Sequence, residues 1–362
     1  MLEKGVPQGE NIGFAVGQQM GHNHRGEPMY RRDASGAKTM HLWDDLAEIS
    51  AELSIERLSS LLKGVNEKSK KEKISADIAT ATRKKTTSVK KLFRVKEAIV
   101  RESGVYVPRF HWADAELEIR REAKASETTG TPFKLKSIAE LIADGTIIYF
   151  DGHGSPDSHY KGTGEMPYIR VDDISGWSIY KNPVSGVPAS LYSSMVEEPH
   201  RKALEQWYKA EADKAAGKIS KRKTKLVFPI DKRPMTKDIL FVRRGSYRIG
   251  SVAIVSPHDG QMVLTREILT LRINPSNVHG LTPEYLLFAL AHPLVQRQMP
   301  NKVLIDTTLP NIGDRWKTLL LPIFQETEMA NIGMKVEAGL KARWEGDRLL
   351  AELSKQHGKL VM

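Results

Sequence analysis

Short runs of β-branched and aromatic residues, closed by glycine, proline or aspartate, dominate the second half of the chain. Such runs are typical of strands, and the residues between them are typical of turns. Together with the helical patterns among them, they predict an α+β fold, with a mixed, largely antiparallel sheet flanked by long helices. The runs predicted as strands are TIIYF, MPYIRV, KLVFPI, DILFVRRG, GSVAIVS, LTLRIN and LLLPIF.

Helical patterns precede this region. Apolar residues recur at helical spacing after Asp44 or Asp45, either of which can cap a helix. Residues 66–87 are polar and indicate either an exposed helix or partly disordered chain. A short apolar helix is predicted from Val89 to Gly104, and a charged helix follows at ADAELEIRREAK. The first forty residues show little periodicity and indicate turns and loop.

Two more helices are predicted towards the C-terminus, at TPEYLLFALAHPLVQRQM and from Thr327 to Gln356. The last helix has an apolar stripe that follows a completed domain, so it needs a partner surface. Gly333, Gly339 and Gly346 each weaken this helix by about 1 kcal/mol relative to alanine. The residues predicted to form a docking surface for another chain are Met329, Ile332, Val336, Leu340 and Trp344.

The net charge of +11 is concentrated in two segments. Residues 57–101 contain 14 basic and 4 acidic side chains, and residues 201–248 contain 15 basic and 5 acidic side chains. Such local excesses are typical of proteins that bind a polyanion. The alternative is that both segments are solvated, as charge runs often are.

The chain contains no cysteine. This excludes disulfide scaffolds, thiolate zinc sites, iron–sulfur clusters and cysteine nucleophiles, and it fits a reducing compartment. The first residues lack a basic region followed by an apolar run, and no stretch reaches the roughly 18 apolar residues of a membrane span. The sequence therefore predicts a cytoplasmic protein with no membrane contact.

Motifs for several kinds of catalysis are missing. The sequence has no GxxxxGK[ST] loop, no G-x-G-x-x-G after a strand and no G-x-S-x-G elbow. Adenine methyltransferases need Asn/Asp-Pro-Pro-aromatic, and the NPVS and NPSN segments at Asn182 and Asn274 lack the second proline. We expect no catalysis by this chain alone.

A metal site is also disfavoured. Asp151, Asp157 and Glu165 crowd one glycine-rich loop, without the strand-borne acid-x-Lys pair of nuclease metal sites. His153 and His159 in the same loop could bind a metal or a phosphate, but we interpret them as solvent-exposed side chains. The prediction is therefore that this chain binds no metal.

Five separated segments occur in an order that resembles a known family. They are MPYIRVDDISGWSIYKNP, KDILFVRRGSYRIGSVAIVS, LTREILTLRIN, PEYLLFALAHPLVQRQ and TTLPNIGDRWKTLLLPIF. This order is similar to the target recognition domain of type I restriction-modification specificity subunits, and to the recognition domains fused behind N-6 adenine DNA methyltransferases. The resemblance covers residues 133–324 and implies a recognition module flanked by long helices that embrace methyltransferase subunits.

The resemblance extends to the N-terminal part and also has limits. Residues 11–45 are similar to the very end of the methyltransferase catalytic domain in the fused forms. Two features depart from the family: the chain has one recognition domain where type I specificity subunits usually carry two, and the basic insertion AEADKAAGKISKRKTK is longer than the family pattern. The predicted parts are an irregular segment 1–41, a basic helical region 42–130, a DNA target recognition domain 131–325 and a docking helix 326–362.

The turn RRGSYR is the main candidate for DNA contact. Arginine can bind guanine through two hydrogen bonds, and tyrosine or serine can bind phosphate. Arg243 is equally well explained by a structural pair with Asp172 or Asp173. The residues predicted to contact DNA are Arg243, Arg244, Ser246, Tyr247 and Arg248 in this turn, Lys218, Lys221, Arg222, Lys223 and Lys225 in the basic loop, and Tyr160, Lys161 and Arg170 around the glycine-rich loop. Trp177 and Trp316 are predicted to be packing residues.

The resemblance implies a non-catalytic specificity subunit that directs an N-6 adenine DNA methyltransferase in a restriction-modification or phage-defence system. Its implied partners are double-stranded DNA, the methyltransferase subunit, and a second copy of itself or a restriction subunit. S-adenosylmethionine would be bound by the partner methyltransferase and not by this chain. Two alternatives stay open: the C-terminal part of a split methylase that completes the enzyme in trans, and a general nucleic-acid-binding protein.

Overall fold

The computed structural model describes residues 11–17, 20–22, 26–32, 38–85, 92–104, 106–112, 114–216, 228–245, 248–303 and 311–357. The chain divides into two compact units, Met1–Asp114 and Ala115–Met362. Their boundary lies inside the predicted basic helical region. Within the described ranges, no helix has the length and apolar character needed to cross a membrane.

Among its described residues, the first unit contains two small antiparallel strand pairs and four helices. The strands are β1 (Asn11–Ala15), β2 (Tyr30–Arg32), β3 (Lys38–Leu42) and β4 (Leu92–Lys96). The helices are α1 (Asp45–Gly64), α2 (Lys68–Arg83), α3 (Glu97–Ser103) and α4 (Pro108–His111). β1 pairs with β4 and β2 pairs with β3. The prediction of loop throughout the first forty residues is therefore wrong.

Helix α1 begins as predicted, because the Asp44 side chain accepts a hydrogen bond from the Ala47 backbone N–H at 2.9 Å. The helical alternative for the polar segment is confirmed over α2. The single helix predicted from Val89 to Gly104 is wrong in its first half. Leu92–Lys96 pairs instead with a strand some eighty residues earlier, and this long-range pairing overrides the local helical spacing. Only α3 is helical, and it ends at Gly104 with φ +63°.

The second unit, together with the helix that leads into it, contains ten strands and eight helices among its described residues. The helices are α5 (Asp114–Thr129), α6 (Ile138–Ala143), α7 (Ala189–Tyr192), α8 (Glu198–Ala215), α9 (Pro283–Ala291), α10 (Pro293–Gln296), α11 (Met299–Lys302) and α12 (Glu326–His357). The strands are β5 (Phe133–Ser137), β6 (Ile147–Asp151), β7 (Tyr168–Ile169), β8 (Ile174–Ser175), β9 (Ser178–Ile179), β10 (Ile239–Val242), β11 (Val252–Ile254), β12 (Val263–Leu264), β13 (Ile268–Ile273) and β14 (Leu320–Phe324).

The central sheet has the strand order β11-β10-β13-β6, and every neighbouring pair is antiparallel. Two-stranded antiparallel pairs join β14 with β5 and β8 with β9, whereas β12 and β7 are parallel. This confirms the predicted α+β class with a mixed, largely antiparallel arrangement. One strand prediction is wrong: residues 228–230 of KLVFPI are irregular, and the start of that segment lies outside the described residues.

Both faces of the central sheet are covered, because successive side chains of a strand point to opposite faces. Ile239 and Phe241 face a large core with α9 and Trp316, whereas Leu240 and Val242 face a second core with Ile174. Trp316 is fully buried, and Trp177 packs against the large core. Both tryptophans are therefore packing residues, as predicted.

The predicted helix at TPEYLLFALAHPLVQRQM is divided. Pro293 lacks a backbone N–H and restricts the residue before it, so His292 adopts an extended conformation with ψ 136°. Helix α9 therefore ends at Ala291, and α10 begins at Pro293.

Helix α12 confirms the helix predicted from Thr327 to Gln356, but its apolar stripe packs within the chain and not against a partner. Met329 and Leu340 are 1% and 3% exposed within the chain's own core, and Ile332, Val336 and Trp344 pack against the same core. The stripe therefore packs against α9 and β14 of its own unit. Met329 and Leu340 are internal packing residues and are not accessible to another chain.

Two glycines of α12 differ in their surroundings. A Cβ at Gly333 would lie 2.8 Å from Oγ1 of Thr282, whose hydroxyl accepts from the Tyr285 N–H and caps α9, whereas Gly339 has no atom within 4 Å. We expect Gly339→Ala to raise the free energy of unfolding by about 1 kcal/mol through helix propensity. Gly333→Ala should lower it, since displacing an N-cap costs about 0.5–2 kcal/mol in addition to the close contact. Chemical unfolding of both variants checks this, and equal gains would contradict the packing.

Candidate nucleic-acid interface

Basic side chains from separate parts of the sequence lie together at one end of the strands of the central sheet, which we call its edge. β6 and β10 end at this edge, and β13 begins there. The residues that follow β6 and β10 therefore lie close to the residues that precede β13. The segment after residue 310 joins them, because the Ile312 N–H donates to the Arg243 carbonyl and Asn311 forms a bridge with Arg244. We call this group the arginine edge; its members are Arg243, Arg244, Arg248, Arg266 and Arg315.

Arg243 is held in the fold. Its guanidinium lies 2.8 Å from Asp151 and donates to the Arg266 carbonyl at 3.3 Å, and its side chain is 24% exposed. Arg243 is therefore in a structural ion pair, but the predicted partners Asp172 and Asp173 are wrong, because its partner is Asp151. Asp173 is buried and accepts instead from the backbone N–H of Arg170 at 2.8 Å.

Arg244 is held much less tightly. Its side chain is 41% exposed, and the nearest carboxylate among the described residues, Glu267, lies 4.0 Å from Nη1. This distance exceeds that of a hydrogen bond. Its Nε is shielded from solvent and has no hydrogen-bond partner in the described part of the chain. The Nε of Arg244 is thus enclosed, while the side chain as a whole is partly exposed.

The rest of the turn is only partly described. Arg248 is half-buried, and its carbonyl accepts from the Ser251 N–H, whereas Ser246 and Tyr247 lie outside the described residues. Gly245 has φ +143°, which a side chain would strain, and Val171 lies 3.5 Å from the position of a Cβ there. The structure therefore brings the exposed Arg170 segment next to the arginine turn.

Tyr160 and Lys161 lie on a turn of the glycine-rich loop. Lys161 is exposed with its Nζ 5.8 Å from the Tyr168 ring, and the Tyr160 ring packs against His159 at 4.0 Å between ring centres, with the rings tilted by 42°. Both belong to a turn that pairs with residues 186 and 187. The basic loop residues Lys218, Lys221, Arg222, Lys223 and Lys225 lie outside the described residues.

Several residues of this edge were not predicted from the sequence. Lys317 donates a hydrogen bond to the hydroxyl of Tyr149 at 2.8 Å and lies 3.2 Å from Asp314; these contacts raise the pKa of Lys317. Arg315 donates to the carbonyls of Lys302 and Asn311. One sequence feature indicated a shared surface. Tyr149, which binds Lys317, and Asp151, which binds Arg243, are two residues apart in a strand and therefore lie on the same face.

His153 corrects a prediction, because it is not a solvent-exposed side chain. The Leu264 N–H donates to its Nδ1 at 2.9 Å, so Nε2 carries the proton and donates to the Lys232 carbonyl at 3.0 Å. Desolvation by burial lowers the pKa of His153 more than the carbonyl contact raises it. The imidazole is therefore a neutral link between the glycine-rich loop and the segment that follows the basic loop.

Two glycines of the glycine-rich loop lie directly against backbone of the same unit. A Cβ at Gly152 would lie 2.1 Å from the Thr265 carbonyl oxygen, and one at Gly164 would lie 2.3 Å from the Val187 carbonyl oxygen. These glycines allow close packing on the chain's own backbone. Within the described ranges, no group of three or more histidine, aspartate or glutamate side chains is arranged to hold a metal ion.

Comparisons with known proteins give distant structural likenesses. No protein-family model matches the sequence, and no curated protein matches it. The structure is similar to the S subunit of a type I restriction-modification system from M. genitalium, with 14% identity over 62% of this chain and 43% of that chain and a TM-score of 0.37. It is also similar to the HsdS subunit from Thermoanaerobacter tengcongensis, with 12% identity over 91% of this chain and 60% of that chain and a TM-score of 0.33.

A third solved structure concerns complex assembly and conformational transition of the type I R-M system. It is 13% identical over 75% of this chain and 59% of that chain, with a TM-score of 0.33. The chain thus spans 43% to 60% of the length of the three chains it matches. At these identities and TM-scores the likeness carries no argument about function.

The His153 link predicts a pH dependence of stability. The pKa of His153 lies below its usual value of about 6.5, so between the two values the unfolded chain binds more protons than the folded chain. Stability is therefore lost as the pH falls from about 6.5 through that interval. We expect His153→Gln to make the thermal midpoint less sensitive to pH between about pH 7 and 5. His292, whose pKa burial also lowers, stays in both proteins. Identical pH profiles would contradict the link.

Proposed function

We propose that this chain is a sequence-specific DNA-binding subunit that directs an N-6 adenine DNA methyltransferase of a restriction-modification or phage-defence system. The observation that carries the proposal is the contrast at the arginine edge between Arg243, which is paired, and Arg244, which is half-exposed and 4.0 Å from its nearest described carboxylate. A fixed scaffold that presents a free guanidinium is what a guanine contact requires. The five family-like segments support the same function, since three of them contribute residues to this edge.

Charge supports a nucleic-acid partner independently. Net positive charge attracts the phosphate backbone and supplies affinity that does not depend on sequence. In the proposed complex the partner subunit binds S-adenosylmethionine and transfers the methyl group, and this chain supplies the site preference. The glycine packing described above fits this division, because Gly152 and Gly164 are packed against the chain's own backbone. The location proposed for the complex is the cytoplasm.

A split methylase is the second candidate. The similarity of residues 11–45 to the end of a methyltransferase domain favours it, because such a segment would join the catalytic body to a recognition domain. Purification with the neighbouring gene products separates the two: a stable complex in which the other chain alone binds S-adenosylmethionine favours the specificity subunit. A catalytic chain that binds the donor only together with this one favours the split enzyme.

The decisive test is selection of bound duplexes from a random library by the full chain. The proposed function predicts enrichment of a defined site, and a general nucleic-acid-binding protein would enrich none. Arg244→Ala should relax the preference at one base pair by about 1–3 kcal/mol and leave the thermal midpoint within a few degrees. Arg243→Ala is the matched control, because it removes a paired arginine from the adjacent position. Arg248→Ala tests the remaining arginine of the turn.

The outcomes of this selection are distinct. Unchanged preferences in the Arg244 and Arg248 variants, with a clear site in the wild type, would remove the turn from base reading and leave Arg170 and its neighbours as the next candidates. A uniform loss of affinity for all duplexes would make Arg244 a phosphate contact.

The basic loop should contribute affinity without preference. We expect Lys221→Ala, Arg222→Ala and Lys223→Ala, made together, to weaken binding to selected and unrelated duplexes alike. Each phosphate contact that is removed should reduce the slope of log K against log salt by about 0.9. Titrations at several salt concentrations measure this, and an unchanged slope would show that the loop is solvated in the complex.

A further inference from the structure

An exposed aromatic cluster lies on α8, among residues that the sequence patterns did not single out. Trp207 packs edge-on against Tyr208 and Phe228, with ring centres 5.2 and 5.0 Å apart. Tyr208 is 61% exposed and Phe228 is 54% exposed. We call these three residues the aromatic cluster. Single exposed apolar side chains are common, but a group of large ones on a surface indicates a binding site.

The helix that carries the cluster is fixed at its start. Residues 189–215 form one continuous helical stretch, with a π-turn at Ser193–Glu197. Tyr192 and Val196 at its start are buried with Tyr168 and Val263, whereas no residue of α8 is buried. The cluster therefore lies on a helical stretch with a fixed base, which we call the arm.

The returning segment of the arm is anchored as well. Arg272 in β13 donates to the carbonyls of Asp231 and Arg233 at 2.9 and 3.0 Å, and His153 donates to the carbonyl of Lys232. Phe228 begins this described segment three residues before Asp231. The aromatic cluster is consequently held on both sides, by α8 and by a segment fixed to the sheet, which limits the entropy lost when a ligand binds it.

The charge around the cluster indicates the chemistry of its ligand. The eleven residues between Ala216 and Phe228 contain five basic side chains and no acidic one. Helix α8 itself carries four basic and four acidic side chains, and Arg201 lies 3.9 Å from Glu205, so the surplus comes from the segment that joins α8 to Phe228. Aromatic rings combined with a surplus of cations are the features that bind nucleic acids, where the rings stack on bases and the cations contact phosphates. A protein partner would have to bring acidic groups to the same place.

We propose that Trp207, Tyr208 and Phe228 form a base-stacking contact that engages a locally unstacked step of bound duplex DNA, separate from the arginine edge. The proposal rests on the proposed function, since an adenine presented to a methyltransferase must leave the base stack, which exposes neighbouring base faces. Aromatic and apolar wedges stabilise such steps in other DNA complexes. The cluster supplies affinity for the distorted duplex, and the arginine edge supplies base preference.

The test compares the full chain with Tyr208→Ala and Phe228→Ala, using a duplex selected by the wild type, or a mixed-sequence duplex if none is selected. Replacing either stacking ring by alanine should weaken binding by about 5- to 150-fold. The slope of log K against log salt should stay unchanged, because no charge is removed. Tyr208→Phe keeps the ring and is the matched control, for which wild-type affinity is expected. Because both side chains are exposed, thermal midpoints should change little.

Each outcome has a definite meaning. Wild-type affinity in both alanine variants would overturn the proposal, as would a Tyr208→Phe variant that loses as much affinity as Tyr208→Ala. Loss of self-association by light scattering, with DNA affinity intact, would assign the cluster to a second copy of the chain instead. These results are independent of the proposed function, which fails only if the wild-type chain selects no site.

Discussion

The ion pair between Arg272 in β13 and Asp238 beside β10 links two neighbouring strands of the central sheet, and Arg272 also binds the segment 231–233. The two side chains are 2.7 and 2.8 Å apart through two hydrogen bonds, and Asp238 is 3% exposed. Asp238 also accepts a hydrogen bond from the Met235 N–H, so its carboxylate is bound by both the backbone and the Arg272 guanidinium. A buried pair is stable only when its remaining polar atoms are satisfied, and removing one partner costs about 3–5 kcal/mol.

The same guanidinium fixes the segment in which the arm returns to the sheet. By donating to two carbonyls of the segment 231–233, Arg272 fixes the return of the arm against β13. Asp238 immediately precedes β10, whose other end carries the arginine turn. One buried charge pair thus fixes both the aromatic arm and the strand that presents Arg244. This arrangement separates rigid parts, which position the side chains, from exposed side chains, which are free to bind.

Helices and strands were predicted correctly where they depend on the local sequence pattern, and wrongly where they depend on pairing with a distant segment. The strands of the central sheet and the long α12 were predictable because period and composition are properties of the segment itself. β4 was not, since Leu92–Lys96 is a strand only because β1 lies beside it. The apolar stripe of α12 correctly indicated burial, but a stripe does not reveal whether its partner is the same chain or another.

The candidate site shows the same limit. The turn RRGSYR was recognisable as a basic connection, yet its two arginines could not be told apart from spacing. Asp151, which holds Arg243, is 92 positions earlier in the sequence, and Glu267 and Asn311 reach the turn from two other segments. Tyr208 and Phe228 were missed because their positions in the sequence do not show that they meet around Trp207.

The central claim is that DNA binds at the arginine edge, and amide hydrogen exchange of the full chain with and without its selected duplex tests it most directly. The account predicts slower exchange in the connection between β10 and β11 and in residues 311–318, with no change in β5 and β14. Protection that is confined to β5 and β14, or that leaves the β10–β11 connection unchanged under saturating duplex, would contradict it.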